Sequence, residues 1–156
     1  MSSIERPWLA NYPEGIPAEI DADAYPSIPA LLQETLDKYR DRPAFSNMGV
    51  SITYGELDAL SRQFAAYLLE ELKFRKGDRI AIMMPNCLQY PIAIFGALRA
   101  GLAVVNTNPM YTARELRHQL VDSGARAILV LDNFGHVVQK VLADSKVEKV
   151  ITTGLG

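Results

Sequence analysis

Between Arg79 and Thr152 the chain alternates short runs of Val, Ile and Leu with helical stretches, and this alternation constrains the fold more than any other feature. "RIAIMM" (79–84), "LAVVN" (102–106), "RAILVL" (126–131) and "VEKVIT" (147–152) read as strands. They lack an in–out alternation, which marks strands covered on both faces. A helical stretch lies between each pair. The first runs from Asn86 to Ala100; Pro91 implies a start nearer Gln89 or an irregular first turn. The second is "TARELRHQLVDSG". The third starts at Asp132 or Asn133 and carries Val137, Val138, Val141 and Leu142. One helix per strand pair requires parallel strands joined by right-handed crossovers. The expected class is α/β: a layered parallel sheet, mixed at one edge, with helices on both faces.

Residues ahead of this core read differently. Pro7, Pro13, Pro17 and Pro26 deny residues 1–26 any long helix. They form an extended Pro-rich arm, with Trp8, Tyr12, Ile16 and Ile20 as anchors for a body or a partner. Residues 27–156 read as the α/β unit. Ser27 caps a helix over "SIPALLQETLDKYR", with Ile28, Leu31, Leu32, Leu36 and Tyr39 on one face. "PAFSNMGVSITYG" predicts two strands about a turn at Asn47–Gly49. Thr53 with Glu56, and Thr112 with Glu115, have the spacing of capping boxes, each opening a helix. The first of these helices should bury Leu57, Leu60, Phe64, Leu68 and Leu72. Gly101 and Gly124 are placed to end helices.

With 156 residues, one domain is expected. A net charge of −2 gives no basic field for nucleic acid. One cysteine, Cys87, allows no intrachain disulfide framework and fits a reducing compartment. The polar, proline-broken start is unlike a secretory signal, and Arg99 with Gly101 interrupts the longest apolar run. A cytoplasmic protein is the expectation.

Ligands in open parallel sheets bind beyond the carboxyl ends of the strands. Those ends read "MPNCLQY", "NTNPMYT", "LDNFGH" and "TTGLG". No G-x-x-x-x-G-K-[ST] and no G-x-S-x-G occurs. The single G-x-G, Gly154 with Gly156, has nothing after it. His118 and His136 lack ligand spacing to each other or to Cys87, so no metal is expected. His118 suits the polar face of its helix, and Cys87 reads as a buried thiol near a helix start. Asp132 ends a strand as a phosphoacceptor would, but Met84, Pro85 and Asn86 stand where partner carboxylates would be required; a helix cap is the plainer reading. In "NTNPMYT", Asn106, Asn108 and Tyr111 are candidates to line a substrate pocket, and equally suit turn chemistry around Pro109. No catalytic residue is assigned.

Taken in order, "T-Y-x-E-L", "G-D-R-[IV]-A", "P-N", "[KR]-A-G" and "N-P-x-Y-T-x-x-E-L" resemble the start of acyl-CoA synthetases of the adenylate-forming superfamily, and most of all bacterial long-chain fatty-acid–CoA ligases. The opening "WLANYPEGIPAEIDADAYPSIPALLQETLDKYRDRPAF" shares the likeness. The resemblance implies part of the N-terminal domain of such an enzyme, with residues 27–156 as a truncated α/β N-terminal subdomain. It implies a reaction in which fatty acid and ATP, with Mg²⁺, give an acyl-adenylate and pyrophosphate, after which CoA takes the acyl group and AMP leaves. It also implies that the family's Pro-Lys-Gly phosphate loop, Tyr-Gly-x-Thr-Glu segment, ribose-holding aspartate and C-terminal lysine have no matching positions here. The chain is therefore expected to bind no cofactor and to be inactive by itself, with ATP, Mg²⁺, CoA and long-chain fatty acid belonging to an intact enzyme. Peripheral inner-membrane contact belongs to that intact enzyme too. A homo-oligomer, with arms exchanged between copies, is the expected assembly. The rival reading is a self-contained flavodoxin-like or receiver-like signalling or interaction module.

Overall fold

The computed structural model describes residues 5–155. The first four residues of the expected arm, and Gly156 of the G-x-G, lie outside the described residues. Four strands form a parallel sheet in the order β4 (Ala103–Asn106), β3 (Arg79–Met83), β5 (Ala127–Leu131), β6 (Lys149–Thr153). Ile80 pairs with Val104 on one side and with Ala127 on the other, and Ile128 pairs with Val150. All three ladders are parallel, so the expected α/β class holds. The expected mixed edge differs. The antiparallel pair, β1 (Pro43–Asn47) with β2 (Val50–Thr53), stands apart as its own two-stranded sheet. Its turn is tight enough to put Met48 and Gly49 at positive φ.

The strand order explains the layers. Helix α3 (Gln89–Arg99) carries the chain from β3 outward to β4. Helix α4 (Ala113–Ser123) then carries it back across β3 to β5. Two right-handed crossovers running in opposite directions must use opposite faces of the sheet. Accordingly Ile80, Ile82 and Leu129 pack with Ala93 and Ala97 of α3 and with Ala65 of α2 (Tyr54–Ala66). Ala81, Met83, Ile128 and Val130 face the other way, onto Leu116 and Leu120 of α4 and Val138 of the short α5 (Gly135–Gln139). Central strands β3 and β5 are buried on both faces, apart from Arg79. Edge strands β4 and β6 are not: Ala103 and Asn106 of β4 are exposed, as are Lys149, Val150 and Thr152 of β6. A third cluster holds α1 (Ile28–Lys38) and the hairpin onto α2 and α3 through Leu32, Leu36 and Leu57.

The helix starts follow the local chemistry. Ser27 Oγ accepts from the Ala30 amide at 3.2 Å. Both capping boxes form: the Thr53 amide donates to Glu56 Oε2 at 2.7 Å, and the Thr112 amide to Glu115 Oε2 at 2.8 Å. Helix α3 begins at Gln89, the later of the two starts that Pro91 allows. It ends in a Schellman turn. Gly101 adopts φ +77°, its amide donates to the Leu98 carbonyl, and the Leu102 amide donates to Ala97.

Three local expectations fail. The helix expected from Asp132 is a 3₁₀ turn (Asp132–Phe134), a short α5 and a second 3₁₀ turn, and Asp132 makes no capping bond. On α1, Leu32 and Leu36 are buried while Ile28 and Leu31 are exposed. On α2 the stripe drifts: Leu60 is exposed, while Asp58 and Ser61 are buried. The cause is a polar contact with α3, taken up below. Past Ala66 the helix widens into a π-turn over Tyr67–Glu71, which returns Leu68 to the core.

Candidate functional site

Because α3 and α4 leave the sheet on opposite faces, the strand order reverses at β3. Open sheets bind ligands at such a point, beyond the carboxyl ends. In this chain the crevice is closed by apolar packing. Met84 is buried there, Pro85 has no amide hydrogen to offer, and Phe134 packs against the clusters on both faces of the sheet. No glycine-lined cradle of amides follows β3. Among the described residues, no group of three His, Cys, Asp or Glu is placed to hold a metal ion. The residues present do not fit Mg²⁺ with a nucleoside triphosphate.

Polar contacts gather instead around the first turn of α3. Tyr90 Oη donates to Asn106 Oδ1 at 2.8 Å, tying the helix to the end of β4. Burial raises the Tyr90 hydroxyl above its ordinary value. The Asn106 carbonyl accepts from Gln119 Nε2 on α4 at 3.0 Å. Gln119 Oε1 is buried without a partner among the described residues. Gln89 Nε2 donates to the Gly154 carbonyl at 2.7 Å, and Asn47 Nδ2 to the Asn86 carbonyl at 3.3 Å. The end of β4 and the residue after β6 thus fasten to the first turn of α3, and the hairpin fastens to the loop just before it.

Of the three residues singled out in "NTNPMYT", Asn106 belongs to this cluster. Asn108 is engaged in its own turn: its Oδ1 accepts from the Met110 amide at 2.9 Å. Tyr111 is half-buried and packs toward α4 and α5, the opposite layer. The side chains therefore lead to different layers of the molecule. His118 lies exposed on α4, and His136 Nδ1 is 3.1 Å from the Asn133 carbonyl. Cys87 is buried. Among the described residues, Asp132 stands in no carboxylate cluster of the kind a receiver-like module would need.

Two apolar grooves flank the same turn of α3. The larger, about 420 Å³, lies between the hairpin and the helix and includes Phe45, Leu88, Tyr90, Ile94 and Phe95 in its walls. The smaller, about 210 Å³, runs between Phe64, Ile92 and the end of β6 at Ile151–Thr153. Periodicity could not reveal either groove, since both are made by elements distant in sequence.

Comparison with known proteins supplies what the geometry leaves open. A family model described as AMP-binding enzyme matches residues 32–155. A long-chain-fatty-acid–CoA ligase of Yersinia pestis is 53% identical over 153 residues, which is 98% of this chain and 27% of that protein. The chain thus spans about a quarter of that relative's length. Two solved structures have the same fold. A long-chain-fatty-acid–CoA ligase from Archaeoglobus fulgidus superposes with a TM-score of 0.77 at 25% identity, over 91% of this chain and 30% of its own. The N-terminal domain of FACL13 from Mycobacterium tuberculosis gives a TM-score of 0.74 at 26% identity, over 81% of this chain and 33% of its own.

Proposed function

The chain belongs to the AMP-binding enzyme family, and on that premise we propose that it is the sheet-bearing first part of an ATP-dependent long-chain fatty-acid–CoA ligase. The observation that carries this reading is the continuous match, at 53% identity, to the Yersinia pestis ligase. In the intact enzyme the fatty-acid carboxylate attacks the α-phosphorus of ATP, pyrophosphate leaves, and the CoA thiol then displaces AMP from the acyl-adenylate. Stabilising the charge that develops on a transferring phosphoryl group needs positioned amides, cations or Mg²⁺. This segment presents no recognisable set of these, so we place none of the catalytic groups in it. Its role is to supply rigid strands and the helix α3 against which the chemistry is built. Asn106, at the end of β4, is held by Tyr90, and we retain it, with Asn108 and Tyr111, as a proposed contributor to the substrate-facing edge.

The decisive experiment is a chimera. This chain replaces the matched quarter of the Yersinia pestis ligase, and acyl-CoA formation is measured with a long-chain fatty acid. Activity within about tenfold of the parent, roughly 1.4 kcal/mol of barrier, is expected; an inactive but folded chimera refutes the reading. In ATP–pyrophosphate exchange the chain by itself should give the blank rate.

Among the described residues, no helix is long and apolar enough to cross a membrane. We place the intact enzyme in the cytoplasm with peripheral inner-membrane contact, which cell fractionation tests. We also propose a homo-oligomer that exchanges its N-terminal arms.

A further inference from the structure

Strand β6 brings little apolar surface to the sheet. None of its five residues is buried, and only Ile151 packs into the cluster on the α3 side. Its ladder is with β5, and parallel strands are joined by long crossovers, so no tight turn fixes their register. A cluster of charges stands where the register is decided, at the amino edge of the sheet. Asp78, Arg126 and Glu148 immediately precede β3, β5 and β6. Arg126 Nη1 donates to Asp78 Oδ2 at 2.6 Å, while its Nε and Nη2 donate to the two Glu148 carboxylate oxygens at 3.0 and 2.7 Å, a two-pronged grip. The guanidinium lies 5.2 Å from the centre of the buried Phe74 ring. Asp78 Oδ2 also accepts from the Arg75 amide at 2.8 Å, so this carboxylate is itself pinned. The backbone joins the same elements: the Arg126 amide donates to the Arg79 carbonyl at 2.9 Å, and the Arg126 carbonyl accepts from the Glu148 amide at 2.8 Å.

We propose that Arg126 is a latch: it sets the register of β6 on the sheet and, through β6, steadies the first turn of α3. A one-residue slip of β6 would carry the Glu148 carboxylate away by about 3.3 Å and turn it to the other side of the strand. Both prongs of the grip would then be lost, so the charges select the register in which Lys149 lies opposite Ala127. The protonation states agree with a permanent latch at neutral pH. Arg126 holds the Glu148 carboxyl below its usual range, and the Arg75 amide first and Arg126 second do the same to Asp78. Glu148 and then Asp78 push the Arg126 guanidinium up. At its far end β6 is tied again, where Gln89 Nε2 donates to the Gly154 carbonyl at 2.7 Å. The strand is thus a strap fastened at both ends, by Arg126 at one and by the first turn of α3 at the other. Arg126 is a positioning residue, and its role depends neither on the ligase reading nor on exchange of the arms.

The test is amide hydrogen exchange on the full chain, read by NMR. Arg126→Met keeps an apolar stem over Phe74 and removes the charge. It should speed exchange at residues 149–153 about fivefold or more, the upper end of what an exposed ion pair supplies. Amides of α1 and of the β1–β2 hairpin, which open locally without breaking the latch, should keep the parent's rates. The side-chain amide signal of Gln89 should move toward its solvent-exposed position. Arg126→Lys, which keeps the charge and loses the two-pronged grip, should fall between the parent and Arg126→Met. Glu148→Gln changes an exposed side chain and should reproduce the effect on β6; it decides the matter if Arg126→Met fails to fold by circular dichroism. Added salt should narrow the difference between the parent and Arg126→Met. Rates in β6 equal to the parent's in both Arg126→Met and Glu148→Gln overturn the latch, as does equal acceleration in α1 and the hairpin, which marks general loosening. A loosened β6 with an unmoved Gln89 signal overturns the link to α3.

Discussion

Arg99 Nη2, at the last turn of α3, lies 2.5 Å from Asp58 Oδ1 on α2, with both side chains nearly nine-tenths covered. The same guanidinium reaches Ser61 Oγ at 3.1 Å and Gln33 Oε1 on α1 at 3.1 Å, while Arg62 closes the ring on Asp58 and Gln33. One cation therefore fixes the relative register of three helices. Burial pushes the Arg99 guanidinium below its ordinary value, against the pull of Asp58. Removing one member of a covered pair strands the other without its counter-charge. Asp58→Ala should cost about 3 kcal/mol in urea unfolding. Asp58→Leu combined with Arg99→Met should recover most of that loss. If the double variant is as unstable as the sum of the two single ones, the contact is not a coupled pair.

The capping boxes give a separate prediction. Thr53→Ala and Thr112→Ala should each lose about 1 kcal/mol, and the losses should add because the two helices start far apart in the fold. Unchanged unfolding midpoints in both would mean that the boxes contribute nothing in solution.

Their carboxylates make stability depend on pH. The Glu56 carboxyl is held below the usual range by the Thr53 amide first and its hydroxyl second, and Glu115 by the Thr112 hydroxyl first and its amide second. A group depressed in the folded state stabilises fully above its unfolded value. That contribution is lost as pH falls through the folded value. Chemical unfolding followed from neutral pH to below about 4, the ordinary carboxylate range, should show the decline. Glu56→Gln with Glu115→Gln should flatten it. An equal slope in the variant would assign the decline to other acids, such as Asp78, which the Arg75 amide and then Arg126 hold down in the same direction.

Much of this fold was legible because its signals are local. Capping residues, the Gly101 stop and the uninterrupted aliphatic runs all act within a few positions of themselves, and each landed within about two residues of its predicted place. What failed depended on partners elsewhere. Leu60 lost its place in the core to Asp58 and Ser61 because Arg99, some forty residues later, needs their oxygens. The edge strands β4 and β6 read as buried because each carries β-branched aliphatic residues, and composition cannot tell where a sheet stops. Asn106 and Asn108 were chemically indistinguishable in sequence; only the fold brings Tyr90 to one and leaves the other to its turn.

Close approach of two helices supplies the fourth prediction. A Cβ on Gly96 would meet Phe64 Cδ1 at 2.7 Å and the Ser61 carbonyl at 2.9 Å. Phe64 can turn, but the carbonyl is backbone and cannot. Gly96→Ala should push α3 off α2, stretch the Arg99 contacts and cost about 1–3 kcal/mol, although alanine favours helices by itself. A melting temperature at or above the parent's would show that the helices have slack there.

The arm supplies the last prediction. Residues 5–26 contain no buried residue, and Trp8, Tyr12, Ile16, Ile20 and Tyr25 all stand exposed. Arg6 pairs with Glu19, so the described arm is bonded to itself rather than to the body. Its charge is also lopsided: residues 1–26 hold five carboxylates and one arginine, whereas the rest of the chain has fifteen basic against thirteen acidic side chains. An acidic, aromatic segment that its own body leaves bare has the right character to cover a second copy's weakly basic surface. Deleting residues 1–26 should leave the unfolding midpoint unchanged, since no core contact is lost, while light scattering shifts from oligomer to monomer. Added salt should loosen the full-length oligomer through the same charges. A full-length chain that is already monomeric at high concentration would end the exchange proposal, and a large loss of stability on deletion would show that the arm packs against its own body instead.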